Sequence, residues 1–178
     1  MVHRLHKSAP IMLMGVMAAG KTEVGSALAA RLDGRFIEGD AHHPAENIAK
    51  MQAGQALSDA DRGPWLEALA KAVIGAAETR QRIIFSCSAL KAVYRAQMRD
   101  ALPGLITLCL RIDPKVAADR ARHRPDHFMP AALIKSQFKA MQWPDHEPRT
   151  QIIDANLPIP QVLDAAVDAV QVLDETQP

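Results

Sequence analysis

Apolar residues along this chain fall into two patterns that alternate. Strand-like, mostly apolar runs at residues 10–14, 82–87 and 105–111 read as buried strands, and short segments at 35–38 and 151–154 as a second set. Between them the apolar positions take helical spacing. Val24, Leu28 and Leu32 lie on one face of a helix over 21–32. Pro44 opens a helix that Gly54 stops, and Asp59 or Asp61 caps a long one holding Trp65, Leu66, Leu69, Val73 and Ile74. Further helices are predicted over 90–102, 114–123, 131–141 and 159–173. Strands alternating with helices predict an α/β fold: a parallel sheet wrapped by helices, with ligands at the carboxyl ends of the strands.

Composition narrows this picture. A length of 178 residues, 48% of them apolar, suits one domain spanning 1–178 with a core of useful size. A formal net charge of +1 argues against a nucleic-acid binder or a partner for acidic membranes. No apolar run approaches the roughly 20 residues of a membrane span. The two cysteines, Cys87 and Cys109, sit in strand-like runs and read as buried free thiols, so a cytoplasmic location is expected.

The chemistry begins at Gly15-Val16-Met17-Ala18-Ala19-Gly20-Lys21-Thr22, which matches G-x-x-x-x-G-K-[ST] between a strand and a helix. Backbone N–H groups at a helix N-terminus satisfy the oxygens of a polyphosphate. Lys21 is placed to reach the β- and γ-phosphates, and Thr22 offers a hydroxyl to Mg²⁺. Ala18 and Ala19 stand where glycine or serine is common. Ala18 therefore either keeps an ordinary conformation or stores strain.

Glu38-Gly39-Asp40 ends the second strand. Asp40 is the candidate base for an attacking hydroxyl, and Glu38 a candidate ligand for a Mg²⁺-bound water. His43, Asn47 and Lys50 crowd the turn and helix that follow, with Arg62 beyond them. Such a set suits an acceptor with a carboxylate and several hydroxyls. The adjacent His42 and His43 lack ligand spacing for a metal site. Lys91 and Arg95 stand four apart on one helix face, as carboxylate anchors or as a solvated face. Arg120, Arg122 and Arg124 read equally as charge-neutralising arginines of a closing segment or as cations at a helix C-terminus.

Taken together, these blocks resemble the bacterial-type gluconokinase family, small phosphate-loop kinases related to shikimate kinase. The most specific stretches are Gly39-Asp40-Ala41-His42-His43-Pro44 and Leu57-Ser58-Asp59-Ala60-Asp61-Arg62-Gly63-Pro64-Trp65-Leu66. Cys87-Ser88-Ala89-Leu90-Lys91 with Tyr94-Arg95, His127-Phe128-Met129 and Ser136-Gln137-Phe138 extend the match. The resemblance implies a three-layer sandwich with a five-stranded parallel sheet, a mobile lid over about 120–142, and commonly a homodimer. It also implies ATP and Mg²⁺ as cofactors and D-gluconate as the substrate, phosphorylated to 6-phospho-D-gluconate. On it, Lys21, Asp40, Arg120 and Arg124 carry catalysis. His43, Asn47, Lys50, Arg62, Lys91, Arg95 and His127 then join Asp40 in facing the substrate. Three positions depart from the family: Glu38 replaces an aspartate, Asp126 a glycine and Gln142 a glutamate. Two alternatives stand beside this reading: a kinase for another hydroxy acid such as shikimate, and a nucleotide-binding module without catalysis.

Overall fold

The computed structural model describes residues 9–77, 81–123 and 132–176. Five strands form one parallel sheet: β1 (Ile11–Met14), β2 (Arg35–Ile37), β3 (Ile83–Cys87), β4 (Ile106–Arg111) and β5 (Thr150–Asp154), in the spatial order β2-β3-β1-β4-β5. Among the described residues seven α-helices connect or follow them: α1 (Lys21–Arg31), α2 (Ala45–Gln52), α3 (Asp59–Ala76), α4 (Ala92–Ala101), α5 (Pro114–Arg122), α6 (Ala132–Ala140) and α7 (Ile159–Glu175).

The central strand shows why three layers form. All four residues of β1 are fully buried, so the strand has no solvent face to spare. Successive side chains point to opposite sides. Ile11 and Leu13 pack with Val24 and Leu28 of α1 and Val162 and Ala166 of α7. Met12 and Met14 pack on the other side with Trp65, Leu66 and Leu69 of α3 and Met98 of α4. An unbroken apolar run is what a strand covered on both faces requires.

Observed boundaries fall within one or two residues of those expected from the apolar pattern. Two local details differ. Ser58, not Asp59 or Asp61, is the N-cap of α3, and Asp61 completes a capping box by bonding back to the Ser58 N–H. Gly39–His42 forms a short 3₁₀ turn after β2, which the pattern does not announce. Cys87 and Cys109 are buried and free, and burial pushes both thiols up to about 12, far from any reactive range.

Candidate active site

The strand order reverses beside β1, and the loop leaving β1 carries the phosphate-binding motif to the N-terminus of α1. Its backbone alternates sharply. Gly15 has φ 146°, Ala18 φ 63° and Gly20, the N-cap, φ 94°. At Gly15 an added Cβ would also meet the Leu110 carbonyl oxygen at 2.8 Å. Ala18 takes the left-handed conformation, so of the two options open to it the strained one is realised, at about 1–2 kcal/mol. Lys21 arches back over the loop and donates to the carbonyls of Gly15 at 3.1 Å and Val16 at 3.0 Å.

Glu38 ties three elements together. The Thr22 hydroxyl donates to its Oε2 at 2.5 Å, and the Ser86 hydroxyl donates to its Oε1. Ser86 in turn accepts the Gly39 N–H at 2.9 Å. The apolar run of β3 ends without an aspartate; Ser86 takes part by orienting Glu38 instead. Gly39 packs so closely that a Cβ there would lie 1.9 Å from the Ser86 carbonyl oxygen.

Asp40 follows in the 3₁₀ turn, its side chain 24% exposed, with its Oδ1 3.8 Å from His43 Nε2. His43 is buried and stacked on Trp65, ring centroids 4.1 Å apart. Trp65 is fixed by donating its indole N–H to the Gly39 carbonyl at 2.9 Å. Burial, aided by the Arg62 charge, pushes the His43 pKa down to about 4, so the ring is neutral near pH 7. Its tautomer follows from the neighbour. Asn47 Nδ2 donates to the Asp61 carbonyl at 2.8 Å, which identifies that end of the amide as the donor. The same nitrogen lies 3.5 Å from His43 Nδ1, so Nδ1 accepts and the proton sits on Nε2, the nitrogen nearer Asp40.

The predicted substrate cations separate into three kinds. Lys50 is paired with Asp61 at 2.6 Å, and Lys91 with Asp59 at 2.6 Å. Tyr94 also donates to Asp59, and these two bonds hold that carboxyl below its usual range. Arg62 has no carboxylate partner among the described residues; its guanidinium lies 5.6 Å from the Tyr94 ring centroid. Arg95 corrects the expectation that it faces the substrate. It is fully buried. Its Nε and Nη2 bind Glu147 at 2.6 to 3.0 Å, and its Nη1 donates to the carbonyls of Ala89 and Leu90. A guanidinium used in this way offers no donor to the cleft. It holds the turn after β3 from behind.

A family model for shikimate kinase matches residues 17–156. The thermosensitive gluconokinase of Escherichia coli K12 is 42% identical over 89% of this chain and 85% of its own length. The gluconokinase of Gluconobacter oxydans is 43% identical over 78% of each. This chain belongs to the gluconokinase family. A gluconokinase crystal structure from Sinorhizobium meliloti superposes with a TM-score of 0.85 at 39% identity, covering 94% of both chains.

Within this gluconokinase fold two cavities adjoin. One is lined by Met17, Lys21, Thr22, Glu38, Asp40, His43 and Arg62, the other by Asp59, Arg62, Lys91 and Tyr94; Arg62 and Gln137 border both. A third, of about 490 Å³, opens on the other side of the loop between Ala18, Gly20, Arg120, His123, Pro158 and Ile159. Arg120 thus stands at the loop from the last turn of α5. Arg124, Asp126 and His127 lie outside the described residues. Gln142 accepts the Ala92 N–H at 2.7 Å, so it caps the start of α4. Sequence reasoning missed the roles of Ser86, Trp65, Asp59 and Gln137. Each depends on a partner 26 or more positions away, and no short motif marks such a pairing.

Proposed function

We propose that this chain transfers the γ-phosphoryl group of ATP to D-gluconate, giving ADP and 6-phospho-D-gluconate. The observation that carries this reading is the meeting of Lys21, Thr22, Asp40 and Arg62 in one cavity. The named gluconokinase relatives point the same way. Gluconate has a carboxylate at one end and a primary hydroxyl at the other. The adjoining cavities offer cations at one end and a carboxylate base beside a phosphate loop at the other.

In this mechanism Asp40 accepts the proton of the attacking hydroxyl, with the neutral Nε2–H face of His43 beside it. Lys21 leaves the loop carbonyls for the β- and γ-phosphates, and the N–H groups of residues 16–22 take the remaining oxygens. Arg62 holds the gluconate carboxylate or the transferring group, and His43, Asn47, Lys50 and Lys91 shape the pocket. Thr22 Oγ1 and the Glu38 carboxylate bring hard oxygens together at 2.5 Å, a donor set that suits Mg²⁺ and its waters. Bound there, Mg²⁺ supplies charge neutralisation at the phosphates. The outer cavity suits the nucleoside, with Arg120 at its rim. Arg124 and His127 complete a lid over about 120–142 in the same reading. The same reading takes the chain as a single domain that forms a homodimer in the cytoplasm. Among the described residues no helix is long and apolar enough to cross a membrane.

A coupled ADP-release assay over gluconate, shikimate and related acids tests the proposal. Gluconate-dependent turnover is expected. Turnover with another acid and none with gluconate overturns the choice of acceptor; ATP binding without any transfer makes the chain a nucleotide-binding module.

A further inference from the structure

One contact in the site belongs to neither the nucleotide nor the acceptor. The Met17 N–H, inside the phosphate loop, donates to Gln137 Oε1 at 2.6 Å. The two residues are 120 positions apart, and Gln137 comes from α6. A backbone N–H of a phosphate loop is a seat for a phosphate oxygen. Here a neutral amide oxygen sits in it.

Which phosphate would claim that seat follows from the cavities. Ala18 and Gly20 border both the inner cavity and the large outer one, the latter with Arg120 and Pro158. Met17 does not border the outer one. It borders the inner cavity with Asp40 and Arg62, where the acceptor hydroxyl has to meet the group being transferred. The Met17 N–H therefore lies at the terminal-phosphate end of the loop. Gln137 stands at the junction, on the border of both inner cavities. About 40 Å³ is left open on the loop side of that junction, against about 490 Å³ in the outer cavity.

We propose that Gln137 is a specificity-determining stand-in for the γ-phosphate: its side-chain oxygen occupies the Met17 N–H in the nucleotide-free enzyme and yields it to a terminal phosphate oxygen when ATP enters. The exchange favours the phosphate, because a hydrogen bond to an anion is stronger than one to a neutral amide. It also lowers the apparent affinity for ATP by the fraction of molecules in which the seat is taken. ADP lacks the group that competes, so Gln137 is indifferent to it.

The inference rests on ATP being the donor in the proposed reaction, and its test needs no acceptor. Affinities for ADP and for a non-hydrolysable ATP analogue are measured by calorimetry in the wild type, Gln137→Met and Gln137→Glu. Gln137→Met keeps the length but has no strong acceptor. It should tighten the ATP analogue by roughly three- to tenfold, the worth of one competing hydrogen bond. Gln137→Glu holds the seat with a charge that repels phosphate and should weaken the analogue by about tenfold or more. ADP should change by less than about twofold in both, and its stoichiometric binding shows that each variant is folded. Unchanged affinity for the analogue in Gln137→Met overturns the inference, as does an equal shift for ADP. Gluconate turnover by the wild type is measured separately, so a wrong acceptor and a wrong role for Gln137 give different results.

Discussion

The two walls of the cleft are built by different means. The phosphate wall is backbone: Gly15, Ala18 and Gly20 take positive φ so that N–H groups line the loop, and Lys21 arches over it. The opposite wall, proposed to take the acceptor, is side chains held by partners: Lys91 by Asp59, and His43 by Trp65 and Asn47. A wall of backbone is specified by local sequence and recognises a generic anion. A wall of pairs is specified by tertiary contact and can be reshaped one residue at a time. The difference also grades the cations. On the proposed function, a cation paired inside the protein would serve the fold, and Arg62, which has no ion pair among the described residues, would serve the ligand.

The largest expected effect tests that grading on the fold side. Arg95→Met leaves Glu147 with Arg99 alone and should cost about 3 kcal/mol or more in denaturant unfolding. The gluconate KM of the folded fraction should move by less than about twofold, since Arg95 does not border the cleft. A large KM change with little loss of stability would return Arg95 to the substrate.

Next comes Asp40→Asn, which should lower kcat by about 10²-fold or more while gluconate and ATP still bind. Near-normal turnover would remove the carboxylate from proton transfer. On the ligand side of the grading, Arg62→Ala should raise the gluconate KM by roughly ten- to a hundredfold. Lys91→Ala should raise it by less than about fivefold, because Asp59 already neutralises that charge. Equal effects of the two would erase the distinction between a cation with an ion pair and one with none among the described residues.

A smaller effect comes from His43. Its folded pKa of about 4 lies below the ordinary histidine value of 6.5, so the unfolded chain takes up a proton that the folded chain refuses. Stability is full above pH 6.5 and falls as the pH drops towards 4. Between pH 7 and pH 5 the loss should reach about 2 kcal/mol, read from urea midpoints. His43→Gln cannot titrate and should lose that part of the slope; an unchanged slope would place the acid sensitivity elsewhere. The smallest effect is on the backbone wall. Ala18→Gly relieves left-handed strain but frees the unfolded chain, so it should stabilise by at most about 1 kcal/mol. A clear loss of thermal stability would mean that the Ala18 methyl packs well enough to outweigh its strain.

The same division explains what could be read from the sequence. The strands and helices were legible because β1, β3 and β4 are apolar runs covered on both faces, and helices such as α1 repeat Val24 and Leu28 at a helical period. The phosphate loop was legible because its residues are consecutive. Arg95 was misplaced because its partner Glu147 lies 52 positions away, and spacing along α4 alone cannot tell an inward face from a ligand face. Ser58 was passed over as the cap because two aspartates stand nearby, although Ser-x-x-Asp is itself a cap signal. Gln137 appeared only as part of a family block; its bond to Met17 exists only once α6 folds back onto the loop.

Gly39 sets a limit on how this pocket can be redesigned. Its Cα lies against the Ser86 backbone too closely for any other amino acid, so position 39 is closed to a library that varies the acceptor site. Glu38 and Asp40, on either side of it, inherit fixed origins and can be changed only in side-chain length and charge. New acceptor shapes would have to be sought across the cleft, on the exposed first turn of α3 and at Lys91 before α4, where replacement side chains meet solvent rather than a carbonyl.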